Sequence, residues 1–477
     1  MDNQTTTGFD IVLKSIHLED FRQFRSIDIP FSESPNPTVF IADNGGGKTT
    51  VLDALAEGLK IFLATLLGRS FKPDQPLANS KDIKISSSNA ALITVCANIS
   101  YPIRELTFSE EEKDKNGDTV LTENGEPIME EKYNYQTQQA DYEFVLEIKK
   151  NGRLEYDVKN KTNPNEVAII GQSFAEAFTL GVDHLPVLAY YGGNNLDNVS
   201  LREERIDDLE KLYRQALLPD RFSFRVFTEW FDTQYKVGNL GEDNTAKKIA
   251  AKNLSIITTC IETMLNETTK VYEKPRMSYH VEYNDFCIGK LNPADGKFEA
   301  IEFAQLSAGE KNIVAIAGDL ARRLIIANPK SDSPLDGQGI VLIDEIDLHL
   351  HPKWQYKVLT KLREIFPNVQ FVVTTHSPAV LSEIPSKHVL RLSENNVFGV
   401  ENTQGQDYNT LLQNMGLPIA NYDIIVKTYE ALVSNDLEQA KQLLSKLKEN
   451  TEGMSSELAQ LEALIELKKH ELLHEIH

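Results

Sequence analysis

Asp43-Asn44-Gly45-Gly46-Gly47-Lys48-Thr49-Thr50 follows the apolar run Pro37 to Ile41, which reads as a strand, and it opens a helix near Lys48. Strand, glycine-rich turn and helix in that order make a phosphate cradle. Gly45, Gly46 and Gly47 let successive backbone N–H groups turn inward, Lys48 adds a point charge, and the Thr49 hydroxyl can ligate Mg2+. Asn44 and Thr50 flank the cradle, and the helix adds its positive dipole end. The usual pattern opens with glycine where this chain has Ala42. That departure matters if the position requires a positive φ.

Three further motifs follow in a fixed order. Ile340 to Ile343 reads as a buried strand that delivers Asp344 and Glu345 together at its carboxyl end. Asp344 is placed to hold the Mg2+ shell, and Glu345 to orient or deprotonate a water attacking a γ-phosphate. A second apolar strand, Gln370 to Thr374, ends at Thr375-His376-Ser377, where His376 can sense or polarise the same phosphate. Leu306-Ser307-Ala308-Gly309-Glu310 opens a helix running to about Ala327, so the Ser307 hydroxyl and the amides around Gly309 and Glu310 form a second anion site. Within one copy of the chain that loop has no phosphate to bind. A head-to-tail partner would bring it to the first site, so the set implies ATP, Mg2+ and at least a homodimer.

Taken together, these motifs resemble the ABC-type ATPase superfamily, in the branch that holds RecF, SMC and OLD proteins. The Leu306 to Glu310 signature carries most of the resemblance. His17-Leu18-Glu19-Asp20-Phe21-Arg22-Gln23-Phe24 resembles the branch's first strand and turn, and Asp347-Leu348-His349-Leu350-His351-Pro352 its segment after the paired acids. The resemblance implies an α/β P-loop ATPase head with inserted β and helical lobes. It also implies that Asp347 couples two sites across a dimer. A glutamine near Mg2+ and the γ-phosphate is usual on the loop entering the helical lobe, where this chain offers Asn194 or Asn195 instead.

Composition bounds the partners. The 477 residues carry a formal charge of −22 and 41% hydrophobic content, which suits a large globular chain and argues against a generally basic nucleic-acid-coating surface. Arg202, Arg205, Arg214, Arg221 and Arg225 are offset by Glu203, Glu204, Asp207 and Asp208, so that stretch reads as a solvated helix. Cys96, Cys260 and Cys287 lack the spacing of a zinc or redox site. The polar amino terminus and the short apolar run Ile61 to Leu67 give no export or membrane signal, which makes the cytoplasm the default.

The expected organisation is a head split between residues 1–100 and 276–400, a β-rich insertion over 101–200 whose charged stretch Glu110 to Gln139, with Asn116-Gly117 and Asn124-Gly125 turns, reads as a mobile loop or small hairpin, a helical lobe over 201–275 opening at the Ser200-x-x-Glu203 capping box, and a helical tail over 401–477. The lobe lacks a long heptad run, so no coiled-coil arm is expected. Phe222, Phe224, Phe227, Trp230 and Phe231 are spaced for core packing more than for base stacking. Gly453 divides the tail into two helices, whose leucines serve self-packing or partner docking. OLD-type nucleases continue into a metal-dependent nuclease domain for which this tail has neither room nor pattern.

Tyr190-Tyr191-Gly192, the Phe227 to Phe231 segment, Gly405-x-Asp407 and the helical tail resemble the PtuA-like ATPases of Septu and retron antiphage systems. That resemblance implies an ATPase controlling an HNH nuclease of PtuB type, in retron systems with a reverse transcriptase and its DNA. Two other readings remain open: a RecF-like repair ATPase that clamps DNA, and a nucleotide-locked scaffold with little turnover.

Overall fold

The computed structural model describes residues 8–67, 80–84, 90–111, 129–151, 153–160, 170–174, 184–192, 212–213, 216–219, 224–266, 275–280, 285–291, 298–416, 422–434, 436–449 and 456–474. The first sheet takes β1 (Asp10–Glu19) and β2 (Ser26–Pro30). After β3 (Thr38–Ile41) and helix α1 (Lys48–Leu67), it is extended by β4 (Ala90–Glu111), β5 (Met129–Lys149) and β6 (Leu154–Asn160), in the antiparallel order β2-β1-β4-β5-β6.

Of the two readings of Glu110 to Gln139, mobile loop or small hairpin, the long β4–β5 pairing favours the hairpin at the described ends of that stretch. Pairing runs from Ala90–Lys149 out to Glu111–Met129, with one irregularity between Leu106 and Phe108. Backbone ladder bonds to a neighbouring strand form whatever the side-chain charge, so the polar composition concealed a strand. Asn116-Gly117 and Asn124-Gly125, the turn-forming pairs within that stretch, lie outside the described residues.

A second sheet holds four strands buried along their whole length and mostly apolar, as burial on both faces favours. β3 and β7 (Val187–Tyr191) are buried at every position, and β8 (Arg276–His280), β9 (Asp285–Leu291) and β10 (Phe298–Glu302) form a separate three-stranded sheet. β11 (Gly339–Ile343) and β12 (Val369–Thr374) are likewise wholly buried. With β13 (Val389–Ser393) and β14 (Asn396–Gly399) they give the order β14-β13-β3-β12-β11-β7, parallel except for the β13–β14 hairpin. β12 therefore lies between the strand that ends at the phosphate loop and the strand that ends at the paired acids. Gln370 ties the two large sheets together, its side chain accepting from Leu13 N at 2.9 Å and donating to Leu13 O at 3.2 Å, where β1 shifts register against β4.

Helices α2 (Phe224–Leu240) and α3 (Asn244–Leu265) make the described part of the helical lobe. Phe227 and Phe231 are buried, and the Phe227 ring sits where a Cβ on Gly318 would come within 2.9 Å, so the aromatic segment packs as core against α4 (Ala308–Ala327). Phe222, the Ser200–Glu203 capping box and Arg202, Arg205, Arg214 and Arg221 lie outside the described residues. α5 (Val358–Ile365) follows the acid strand. No helix among the described residues is long and apolar enough to cross a membrane.

The chain divides into two compact units, Met1–Gln406 and Asp407–His477. The second unit begins with α6 (Tyr408–Asn414) and holds three longer helices, α7 (Tyr422–Val433), α8 (Leu437–Glu449) and α9 (Ser456–His474), where the sequence reading expects two. The additional break falls at Ser434 to Asp436. Asp436 caps α8 by accepting from Gln439 N at 2.9 Å, a local competition with the helix ladder that the leucine periodicity masks. Ala431, Leu432, Ala440, Leu444, Leu447, Leu458, Leu461 and Ile465 form its core.

Candidate functional site

The carboxyl ends of β3, β12 and β11 lie side by side, so three separated motifs meet at one sheet edge. Gly45 and Gly47 turn the loop after β3 with φ of 78° and 98°, a region that L side chains rarely adopt. Space matters as well as φ: a Cβ on Gly47 would lie 2.3 Å from Phe24 Cζ, and one on Gly46 would lie 2.7 Å from the Ala42 methyl. Ala42 itself is buried and keeps a negative φ, so the departure from glycine at the head of the loop costs no backbone strain. The Gly46 contact shows its consequence, since the Ala42 methyl leaves room only for glycine across the turn.

Lys48 is buried along this loop and its Nζ donates to Ala42 O at 2.8 Å. Burial lowers its pKa from the usual lysine range, against the opposing pull of Asp344, Glu345, Asp43 and Asp347. The Thr49 hydroxyl donates to Asp344 Oδ2 at 2.7 Å. A neutral hydroxyl and a carboxylate thus converge from two motifs nearly 300 positions apart in sequence, and this pair of hard oxygen donors fits Mg2+.

Thr374, the last residue of β12, organises the acids. Its hydroxyl donates to Asp344 Oδ1 at 2.5 Å and accepts from Glu345 N at 2.7 Å. Glu345 takes a left-handed φ of 51°, which turns its side chain off the line of the strand at a cost of roughly 1–3 kcal/mol. Asp347 is drawn to the neighbouring loop: its Oδ1 accepts from the Thr375 hydroxyl at 2.6 Å and from His376 N at 3.2 Å. The histidine backbone is therefore fixed by the residue two positions beyond the acid pair.

Ser307 caps α4 and is exposed there. Its hydroxyl accepts from Glu310 N at 3.3 Å, while Glu310 Oε2 accepts from Ser307 N at 2.9 Å, a reciprocal capping box that holds the first turn. Gly309 packs against the turn after the acids, where a Cβ would lie 2.5 Å from His349 O. The signature and the Asp347 turn are therefore in contact within one copy of the chain. Asn194 and Asn195 lie outside the described residues.

Sequence reasoning passed over several supporting groups. Gln23 accepts from the Thr50 hydroxyl at 3.1 Å, and Arg22 pairs with Asp53 at 2.6 Å and Asp82 at 2.8 Å, so the turn after β1 braces α1. Adjacent residues of β7 reach different helices: Tyr190 donates to Asp53 on α1 and Tyr191 to Asp319 on α4, each at 3.0 Å. Burial first, then Asp53 and Asp344, pushes the Tyr190 phenol far above its usual range and keeps it a donor. A signal for Thr374 was present, a hydroxyl at the end of an otherwise apolar strand beside the histidine.

The AAA ATPase domain family model matches residues 12–381, spanning the phosphate loop, the signature, the paired acids and the histidine. The chain belongs to that family. A probable ATPase of retron Ec83 from Escherichia coli is 28% identical over 90% of this chain and 81% of its own length. A probable ATPase of retron Vc95 from Vibrio cholerae serotype O1 biovar El Tor is 26% identical over 90% of this chain and 85% of its own length. The Septu protein PtuA of Bacillus thuringiensis is 30% identical over 35% of this chain and 40% of its own length. These relatives bear out the resemblance to PtuA-like ATPases of antiphage systems. The fold is α/β, with the site motifs at the carboxyl ends of a mostly parallel sheet.

Proposed function

We propose that this ATPase binds ATP·Mg2+ between two head-to-tail copies and uses its hydrolysis to control a partner HNH nuclease in bacterial antiphage defence. The observation that carries the reading is the convergence of Thr49, Asp344, Thr374 and Glu345 through bonds of 2.7, 2.5 and 2.7 Å. It joins the phosphate loop to the paired acids through one threonine at the end of the neighbouring strand.

In this reading the amides of residues 44–50 and the Lys48 ammonium hold the triphosphate. Thr49 and Asp344 would hold Mg2+, which supplies charge neutralisation on the phosphate oxygens. Glu345 takes the proton of a water that attacks the γ-phosphorus; the bond to the bridging oxygen breaks, giving ADP and phosphate. His376 stabilises charge on the transferring group, and Ser307, Gly309 and Glu310 of a second copy close the site from the far side. Asp347 couples the two sites of the dimer. The exposed turn at Ser307 supports this, because its capping box holds the hydroxyl and the first-turn amides at the surface, where the phosphates of a second copy would meet them.

The nuclease chemistry is assigned to another polypeptide, with a reverse transcriptase and its DNA joining in the retron arrangement. The names of the retron and Septu relatives support the defence setting. Glu345→Gln tests the mechanism. It should hold ATP and prolong ATP-dependent association while lowering turnover by about 100- to 10,000-fold. Unchanged hydrolysis together with unchanged association would overturn the reading.

A further inference from the structure

Gln355 belongs to none of the four motifs, yet its side-chain amide is committed at both ends. Its Nε2 donates to Asp347 O at 3.3 Å and to Leu350 O at 3.0 Å, and its Oε1 accepts from the Ser377 hydroxyl at 2.7 Å. Ser377 Oγ in turn accepts from Ala379 N at 3.1 Å, which fixes the start of the turn after His376. One half-buried amide therefore joins the carbonyls of the Asp347 turn to the histidine loop.

Two further contacts hold the same turn. Asp347 Oδ1 accepts from Thr375 and from His376 N, as described above. Its other side meets the signature helix, where His349 adopts a left-handed φ of 60° and presents its carbonyl to Gly309. The turn closes on itself through Leu350 N, which donates to Asp347 O at 3.1 Å, and Gln355 joins that closed turn to the histidine loop through Ser377. Gln355 is placed to do this because the short helix Pro352–Gln355 starts directly after the turn, with Pro352 at its first position and His351 capping Lys353 N at 3.3 Å.

We infer that Gln355 is the positioning residue that fixes the Asp347 turn between the His376 loop and the signature helix, and so shapes the surface that a second copy of the chain meets. The inference rests on the head-to-tail reading. Gln355 touches neither the phosphate loop nor the paired acids through any hydrogen bond described, so its effect should fall on assembly and turnover and leave nucleotide capture intact.

Two substitutions in the full chain separate its bonds. Gln355→Met keeps a similar volume and removes all three hydrogen bonds. Gln355→Glu keeps the acceptor for Ser377 and loses both donors to the turn. The readouts are ATP affinity at protein concentrations too low for association, ATP-dependent association, kcat and melting temperature. Both variants should lose on the order of 10- to 100-fold in kcat and weaken association, with ATP affinity of the separate copies and melting temperature kept near wild type. Wild-type association and kcat in Gln355→Met would overturn the inference, as would a parallel fall in ATP affinity and melting temperature, which marks a merely structural role. If wild-type protein shows no ATP-dependent association while Glu345→Gln also fails to associate, the head-to-tail reading itself fails, and this inference fails with it.

Discussion

The nucleotide site and the carboxyl-terminal helices hold their shape by opposite means. At the site, backbone sits in the left-handed region at Gly45, Gly47, Glu345 and His349, and Lys48, Thr50, Thr374 and Thr375 are buried polar groups. In the unit Asp407–His477, Leu444, Leu447, Leu458, Leu461 and Ile465 pack as an apolar cluster, and Thr428 is the buried polar residue among the described ones. The first region gives up stability for the placement of a few oxygens. The second gains stability from packing that many similar apolar sequences would supply. A substitution in the first should therefore change chemistry more than folding, and one in the second should do the reverse.

Of the changes that set the two regions against each other, the largest effect is expected at the phosphate loop. Lys48→Met keeps the length of the stem along the loop and removes the ammonium, so kcat should fall roughly 100- to 1,000-fold. The melting temperature should stay close to wild type, since burial works against the Lys48 charge in the folded chain. A fall in melting temperature as large as that from a core truncation would break the contrast between the regions.

The matching change in the tail is Leu461→Ala. Leu461 is fully buried in the helical cluster, and truncation should cost about 2–5 kcal/mol through lost transfer energy and a residual cavity. Calorimetry or denaturant unfolding should show this loss, with basal ATP turnover unchanged at a temperature where the unit remains folded. Turnover falling in step with stability would show that the helices act on the site.

What could be read from the sequence follows the same division. Lys48, Thr49, Asp344 and Glu345 were legible because each follows a strand whose burial fixes where it ends, and the structure brings these ends to one edge. The tail leucines were legible through periodicity, although the Asp436 cap was not weighed against it. Thr374, Gln355 and the Gly309–His349 contact depend on which strands lie side by side and how closely a helix approaches a turn, which no local pattern records. The outer half of the β4–β5 pairing was legible only as loop or small hairpin, because it has a loop's composition while its backbone bonds do not depend on composition.

The smallest predicted effect concerns acid, and it again separates buried polar structure from exposed polar structure. Asp319 on α4 accepts from Arg322 at 2.6 Å, Arg323 at 2.7 Å and Tyr191 at 3.0 Å. Burial alone would raise its pKa, but Arg323 and Arg322 outweigh burial and hold it down at about 2. A folded pKa below the unfolded one means that the unfolded chain takes up the proton first as pH falls. The stabilisation is thus fully present above the ordinary carboxylate range and is lost between about pH 4 and pH 2, amounting to about 2 kcal/mol. Asp407, exposed at the start of the tail unit, is also held low, first by the Thr410 hydroxyl, yet solvent screens that interaction. Denaturant titrations across this window should show a shallower acid slope for Asp319→Asn than for wild type, and little change in slope for Asp407→Asn. Equal slopes for wild type and Asp319→Asn would mean that the arginine pair does not hold the carboxylate charged, and that the strand-to-signature-helix contact through Tyr191 rests on packing instead.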